Sequence, residues 1–272
     1  MFMLDELRHF LEIARLGTFT AAARRVHLSQ PALTASIHRL ESEIGATLLD
    51  RGPGGAALTA AGSALVPWAE AALSAVGRGR RAVQEIESLE TGEVRIGAGS
   101  TACLVLLPPL LAEFHDAHPG IHLFLREAPG PDVERAVASG DLDIGIVAES
   151  GTEPWRDDPL VLVAAPHVKA KTMPHLTFPQ GTNHRALLDE HFPGVPIAME
   201  LSSLAAVRAH VEAGMGVALL SRASVAREIA AGTLVEVRDR RTPIVRTLAL
   251  RHLGVDRLSP AARALRTLLL DG

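Results

Sequence analysis

A single cysteine, Cys103, stands in 272 residues, which excludes an intrachain disulfide and leaves any redox sensing without a resolving partner. Aromatic residues make up 3% of a chain that is 47% hydrophobic, so its cores must be packed chiefly by Ala, Leu and Val. No run of about eighteen apolar residues occurs, and no membrane span is expected. The opening M-F-M-L-D-E-L has neither the basic flank nor the apolar core of a secretion signal, so a cytoplasmic address is expected. A basic excess is missing too. The net charge is −4. Within residues 1–58, Arg8, Arg15, Arg24, Arg25, Arg39 and Arg51 are balanced by Asp5, Glu6, Glu12, Glu41, Glu43 and Asp50. A nucleic-acid partner must therefore be argued from arrangement, with Arg24, Arg25, Arg39 and Arg51 gathered on one side.

Marks of catalysis or of a cofactor are equally scarce. Gly97-Ala98-Gly99-Ser100 lacks the lysine of a phosphate loop, and no G-x-S-x-G elbow occurs. His115, His118 and His122 lie close in sequence, but a helix end and a strand start separate them, and a structural metal site needs about four converging ligands. Asp141 and Asp143 read as a turn rather than as an acid–base pair. Neither metal nor cofactor is expected, and the chain is not read as an enzyme.

What is present begins at Ser29–Gly45, S-Q-P-A-L-T-A-S-I-H-R-L-E-S-E-I-G. Ser29 is a helix cap, Pro31 fits the first turn and Gly45 is a stop. Leu33, Ile37, Leu40 and Ile44 form one apolar stripe at helical period. The opposite face carries Pro31, Thr34, Ala35, His38 and Ser42, short or polar side chains that let a backbone approach base edges in a major groove. Alone, the segment is as well read as an ordinary amphipathic surface helix. Its context favours DNA. Thr18–His27 is a capped, alanine-rich helix separated from it by Leu28 and Ser29 only, the spacing of a helix-turn-helix. A helix over Leu4–Leu16, with Leu4, Leu7, Phe10, Leu11 and Ala14 as its buried face, completes a three-helix unit. Residues 46–58 read as two short strands around a Gly-Pro-Gly turn, a wing whose Arg51 can reach phosphate or a narrow minor groove.

The chain resembles the LysR-type transcriptional regulators. The resemblance rests on L-R-H-F-L-E-I-A-R-L-G-T-F-T-A-A-A-R-R-V-H-L-S-Q-P-A-L-T from Leu7 and on I-H-R-L-E-S-E-I-G-A-T-L-L-D-R ending at Arg51. It continues more weakly in L-L-P-P-L-L-A-E-F from Leu106, G-D-L-D-I-G-I-V from Gly140 and V-E-A-G-M-G-V-A-L-L-S-R from Val211. The expected fold is α/β: an N-terminal winged helix-turn-helix (1–58), a long linker and dimerisation helix (59–89), and a C-terminal two-lobed α/β effector domain like that of periplasmic binding proteins (90–272). Lobe I spans about 90–150 and 243–272, and lobe II about 157–240.

From Thr59 to about Leu89, Leu65, Ala69, Ala72, Val76, Gly79, Val83 and Ile86 alternate at steps of four and three, the spacing of a coiled-coil seam. Pro67, Gly77 and Gly79 predict a kink. A homodimer or homotetramer is expected. Alternating strands and helices follow, as in a parallel sheet with right-handed crossovers. Three helix starts, at Ser100-Thr101, Gln180-Gly181-Thr182 and Ser202-Ser203, are expected at the carboxyl ends of strands, where free N–H groups favour an anion. Routine capping is the plainer reading of each. The resemblance implies a small-molecule effector bound there, expected to be a carboxylate, and a double-stranded DNA operator contacted by Ser29, Gln30, Pro31, Thr34, His38, Arg39 and Arg51. It also raises RNA polymerase as a partner. The alternatives are an effector-independent regulator of the same kind, a solute-binding protein, or an enzyme on the two-lobed scaffold.

Overall fold

The computed structural model describes residues 4–52, 55–85, 92–148 and 153–272. They fall into two units, Met1–Val83 with Ser139–Asp141, and Gln84–Ala138 with Leu142–Gly272.

In the first unit, helices α1 (Leu4–Leu16), α2 (Phe19–Arg25) and α3 (Gln30–Ile44) precede an antiparallel hairpin, β1 (Leu49–Gly52) and β2 (Gly55–Leu58), and helix α4 (Ala60–Glu85). Their core holds Phe10, Ile13, Leu33, Ile37, Leu40 and Leu48. The expected stripes hold in their middles and fail at their ends. Leu4 and Ile44, at helix termini, are 40% and 38% exposed, while Ile13 is fully buried. Ser29 Oγ accepts from Ala32 N at 3.3 Å, and Gly45 ends α3 at φ +76°, a conformation that costs glycine nothing. Glu41 Oε1 takes the N–H groups of Leu48 and Leu49 at 2.8 and 3.2 Å, fixing the hairpin to α3.

Helix α4 opens at Thr59, whose Oγ1 accepts from Gly62 N at 2.9 Å. Gly62 lies so close to Leu48 O that a Cβ there would sit 2.1 Å from it. The helix continues through Pro67 as one element, where the sequence predicts a kink. The expected seam is divided. Ala69 is buried in the first unit's core, with Leu65 and Ala72 packed against it, so these three already face their own chain. Of the expected seam, Val76, Gly79 and Val83 are left exposed, and Ala61, Ala64, Trp68 and Ala75 are exposed on the same helix. Trp68 is 75% and Val83 66% exposed. Ile86 lies outside the described residues.

The second unit is built on a seven-stranded sheet: β3 (Gly92–Ala98), β4 (Ile121–Glu127), β5 (Ile144–Ala148), β6 (Glu153–Ala164), β9 (Ala218–Ser221), β10 (Val235–Glu236) and β11 (Ile244–Arg251). Strands β4, β3 and β5 are parallel, whereas β11 is antiparallel to β5 and β6. The chain's two crossings between lobes are β6 and β11, and their antiparallel pairing makes one continuous mixed sheet where the sequence pattern predicts parallel strands. A separate parallel pair, β7 (His175–Thr177) and β8 (Ile197–Glu200), belongs to lobe II. Strand β7, a three-residue element, is not anticipated by the sequence pattern.

In lobe I, Phe114 of helix α5 (Leu107–Ala117) and Leu265 and Leu269 of α10 (Pro260–Asp271) join Val94, Ile96 and Ile144 in one core. Helix α6 (Gly130–Ser139) forms a second with Val147. In β6 the alternation separates two cores: Val161 and Val163 meet Val207 and Val211 of α8 (Leu204–Glu212), while Leu160 and Leu162 meet Leu187 and Leu188 of α7 (Asn183–His191). Helix α9 (Ala226–Ala231) adds Ile229 to the α8 side. A sheet covered on both faces gives these strands near-continuous apolar runs. No helix among the described residues is long and apolar enough to cross a membrane.

Candidate functional site

The first unit presents the exposed N-terminal half of α3. Gln30, Pro31, Ala35 and His38 are exposed, and Thr34 is half-buried. The Thr20 hydroxyl donates to Gln30 Oε1 at 3.4 Å, a contact from α2 that biases the amide's position. Ser36 turns inward to His9 Nδ1 at 2.8 Å. Of the four arginines expected to gather, Arg24 and Arg25 are exposed in the last turn of α2. Arg39 differs from expectation: its Nε donates to the nearly buried Glu6 at 2.7 Å, so part of its guanidinium is committed to holding α3 on α1. Arg51 stands on β1 opposite Ala56, and its side chain lies outside the described structure.

The second unit contains a cavity of about 380 Å³ where the lobes meet. It lies beyond the carboxyl ends of β3, β4, β5, β7 and β8, the place that parallel strands leave open for ligands. Of the expected residues, Ser100, Thr101, Gln180, Thr182 and Ser202 line it. Gly181 lines an adjoining cavity of about 300 Å³ instead. Ser203 lines neither and makes no side-chain cap, so the third helix start contributes Ser202 alone.

The hydroxyls are less available than their residue types imply. Thr182 Oγ1 accepts from Arg185 N at 3.3 Å and donates to Pro179 O at 2.9 Å. Ser100 Oγ donates to Glu127 Oε1. Thr101 is only 2% exposed.

The cavity floor holds a buried charge network that the sequence pattern does not reveal. Arg246 on β11 pairs in register with Asp158 on β6. Its Nε and Nη2 donate to Asp158 Oδ2 at 2.9 and 2.7 Å, and Nη1 donates to Asn183 Oδ1 at 2.9 Å. Longer contacts of 3.5 Å run to Thr101 Oγ1 and His184 Nδ1, so one guanidinium touches both lobes. Ser221 Oγ donates to the other Asp158 oxygen. Burial above all, then the Arg246 charge, holds the His184 imidazole well below its ordinary pKa, so the ring is neutral. Since Nδ1 faces a donor, Nε2 carries the ring hydrogen, and it has no partner among the described residues. A lone Arg in the apolar run I-V-R-T-L-A-L is the one signal that could have found it.

Cys103 is buried with its Sγ 3.4 Å from Ala98 O. Burial first, then Glu127, pushes its thiol up to about 12, which leaves no thiolate at neutral pH. Two of the three suspected histidines face different partners. His118 meets the Phe114 ring, and His122 faces Glu93 at 3.6 Å. Among the described residues no group of three His, Cys, Asp or Glu side chains is placed to hold a metal.

Comparison with known proteins assigns both units. Residues 4–63 match the model of the bacterial regulatory helix-turn-helix proteins of the lysR family, and residues 87–272 that of the LysR substrate binding domain. The HTH-type transcriptional regulator CbbR of Xanthobacter flavus is 32% identical, over 98% of this chain and 86% of the relative. The regulator YeiE of Escherichia coli (strain K12) is 31% identical, over 96% and 94%. Among solved structures, a full-length point variant of OxyR from Pseudomonas aeruginosa superposes with a TM-score of 0.70 at 24% identity, over 99% of this chain and 94% of that one. Full-length CbnR in complex with its target DNA gives 0.71 at 21%, over 98% of each chain. Both show the same fold.

Proposed function

We propose that this chain, which belongs to the LysR family of DNA-binding transcriptional regulators, senses a small organic acid in the cavity between its lobes and converts occupancy into altered operator binding. The family consists of regulators rather than enzymes, and its members bind DNA operators and effectors and form oligomers. The observation that carries the effector reading is the cavity itself, which opens at strand ends with Ser100, Thr101, Gln180, Thr182 and Ser202 on its walls and Arg246, whose positive charge favours an anion, in its lining.

On the DNA side, Gln30, Pro31, Thr34 and His38 are assigned to the groove and Ser29, Arg39 and Arg51 to the backbone. Dimerisation is assigned to the exposed small-residue face of α4 around Trp68, Ala75, Gly79 and Val83. Closure of the lobes on the effector would then reset the spacing of two DNA-binding heads. Recruitment of RNA polymerase is a further partner role that this output would serve.

The test is to select bound fragments from genomic DNA with the full chain, then screen organic acids by calorimetry against wild type and Ser202→Trp, which fills the cavity rim. An acid that binds wild type and is excluded by Ser202→Trp supports the reading. Acids that bind both proteins equally, or neither, contradict it.

A further inference from the structure

Arg39 uses its guanidinium unlike several other paired arginines of this chain. Arg222, Arg241 and Arg266 each give both Nε and a terminal nitrogen to one carboxylate, the side-on fork that satisfies two oxygens at once. Arg39 gives Nε alone, to Glu6 Oε1 at 2.7 Å. Its terminal fork, Nη1 and Nη2, has no partner among the described residues. The pair also straddles the surface, since the Glu6 side chain is 7% exposed and that of Arg39 64%. One end of the guanidinium is therefore fixed to α1, and the other stands in solvent.

Position gives the free end something to meet. Arg39 follows His38 and lies about 100° around α3 from it, so it stands at the flank of the exposed face rather than at its centre. A helix seated in a major groove has base edges before its centre and phosphates along its flanks. The two parallel N–H groups at the end of a guanidinium match two oxygens of one phosphate. A freely moving arginine loses rotamer freedom when it takes that pose, whereas one held at Nε has already lost it.

We propose that Glu6 is a positioning residue for DNA binding: from α1 it holds Arg39 by Nε so that the terminal fork faces a backbone phosphate beside the groove. The inference rests on α3 being the DNA-reading helix and on Arg39 meeting the backbone, and it adds to them an acid that binding needs. In the charge balance of residues 1–58 Glu6 counts against DNA; in the fold it aims one of the basic groups.

The experiment titrates the full chain on a mixed-sequence DNA duplex by fluorescence anisotropy over a range of salt concentrations, with thermal melting of each variant as the check on folding. As a bare charge Glu6 opposes DNA, and its loss tightens binding; as the holder of Arg39, its loss weakens binding. Glu6→Gln should therefore weaken binding about threefold or more. Arg39→Ala should weaken it about tenfold and lower the salt slope by about one per DNA-binding head. Adding Glu6→Gln to Arg39→Ala should cause no further loss. Arg39→Lys keeps the charge but cannot serve Glu6 and a phosphate together, so it should lose most of what Arg39→Ala loses. It decides the matter if Glu6→Gln does not fold. Binding that is unchanged or tighter in Glu6→Gln overturns the proposal, as does a Glu6→Gln loss that persists beside Arg39→Ala, or an Arg39→Lys variant that matches wild type. If Arg39→Ala changes neither affinity nor slope, the backbone assignment beneath the proposal fails with it. If Arg39→Ala weakens binding and Glu6→Gln does not, Arg39 keeps its contact and the positioning role of Glu6 fails.

Discussion

Arg246 and Asp158, with side chains only 6% and 2% exposed, hold each other in a region where removing one partner strands a charge. Arg246→Met should therefore destabilise the second unit by about 3–5 kcal/mol, while Arg246→Met with Asp158→Leu should recover much of that loss, as buried pairs replaced together tend to do. Urea unfolding of these two variants and of Asp158→Leu alone measures it, and a double variant as unstable as the sum of the singles would show that the pair is not the unit that matters. Neither residue looks functional in the sequence, because strand register, which no local pattern encodes, is what sets Arg246 opposite Asp158. The exposed first-turn placement of Gln30 and Pro31, by contrast, is legible, since a helix start fixes its first turn by local chemistry alone. The histidines give a second residue-scale test. His175 and His184 are buried; burial in both, aided by Arg241 and Arg246 respectively, lowers their pKa. The unfolded chain then binds more protons below the ordinary value of about 6.5, so their stabilisation is present above that pH and is lost as pH falls below it. The melting temperature should drop between pH 7 and 5, where the carboxylates remain ionised, and His175→Gln should flatten the slope. A melting temperature that holds or rises over this range would contradict the assignment.

Helix α3 reads as a recognition element because its polar, exposed face and its buried face are cleanly divided. Gln30→Ala should weaken specific operator binding by about 1–3 kcal/mol and leave binding to scrambled DNA nearly unchanged. Gel-shift titration on both DNAs decides it: equal losses would remove the base-reading role. Helix α4 shows where periodicity runs out. Steps of three and four identify an apolar helix, but they cannot say which part of the stripe its own chain covers, and Leu65, Ala69 and Ala72 are so covered. The remaining face, with Trp68 and Val83 at 75% and 66% exposure, is the one left for a second copy. Trp68→Glu with Val83→Asp should release monomers in sedimentation experiments at micromolar concentration, while Leu65→Asp should unfold the first unit instead. A double variant that remains fully oligomeric would place the interface elsewhere. The strands show the same limit. Long apolar runs give β3, β5 and β11 away, whereas β7, with three residues, owes its conformation to its pairing with β8 rather than to its composition.

At the scale of the whole molecule, a DNA-reading unit and a ligand-holding unit in one chain are of regulatory use only if each biases the other. Linkage makes that bias reciprocal: whatever factor the effector imposes on operator affinity, the operator must impose on effector affinity. The family resemblance makes this architecture legible from end to end, while the ligand's chemistry stays hidden because the cavity's lining residues are drawn from distant parts of the chain and meet only in the folded second unit. The most direct measurement is therefore the dissociation constant of the identified effector for the full-length protein, taken with and without a saturating operator fragment recovered by selection. A change of about fivefold or more is expected, matched by an equal change in operator affinity when the effector is saturating, and lost when Ser202→Trp closes the cavity. An effector constant indifferent to operator DNA would contradict the coupling of the two units.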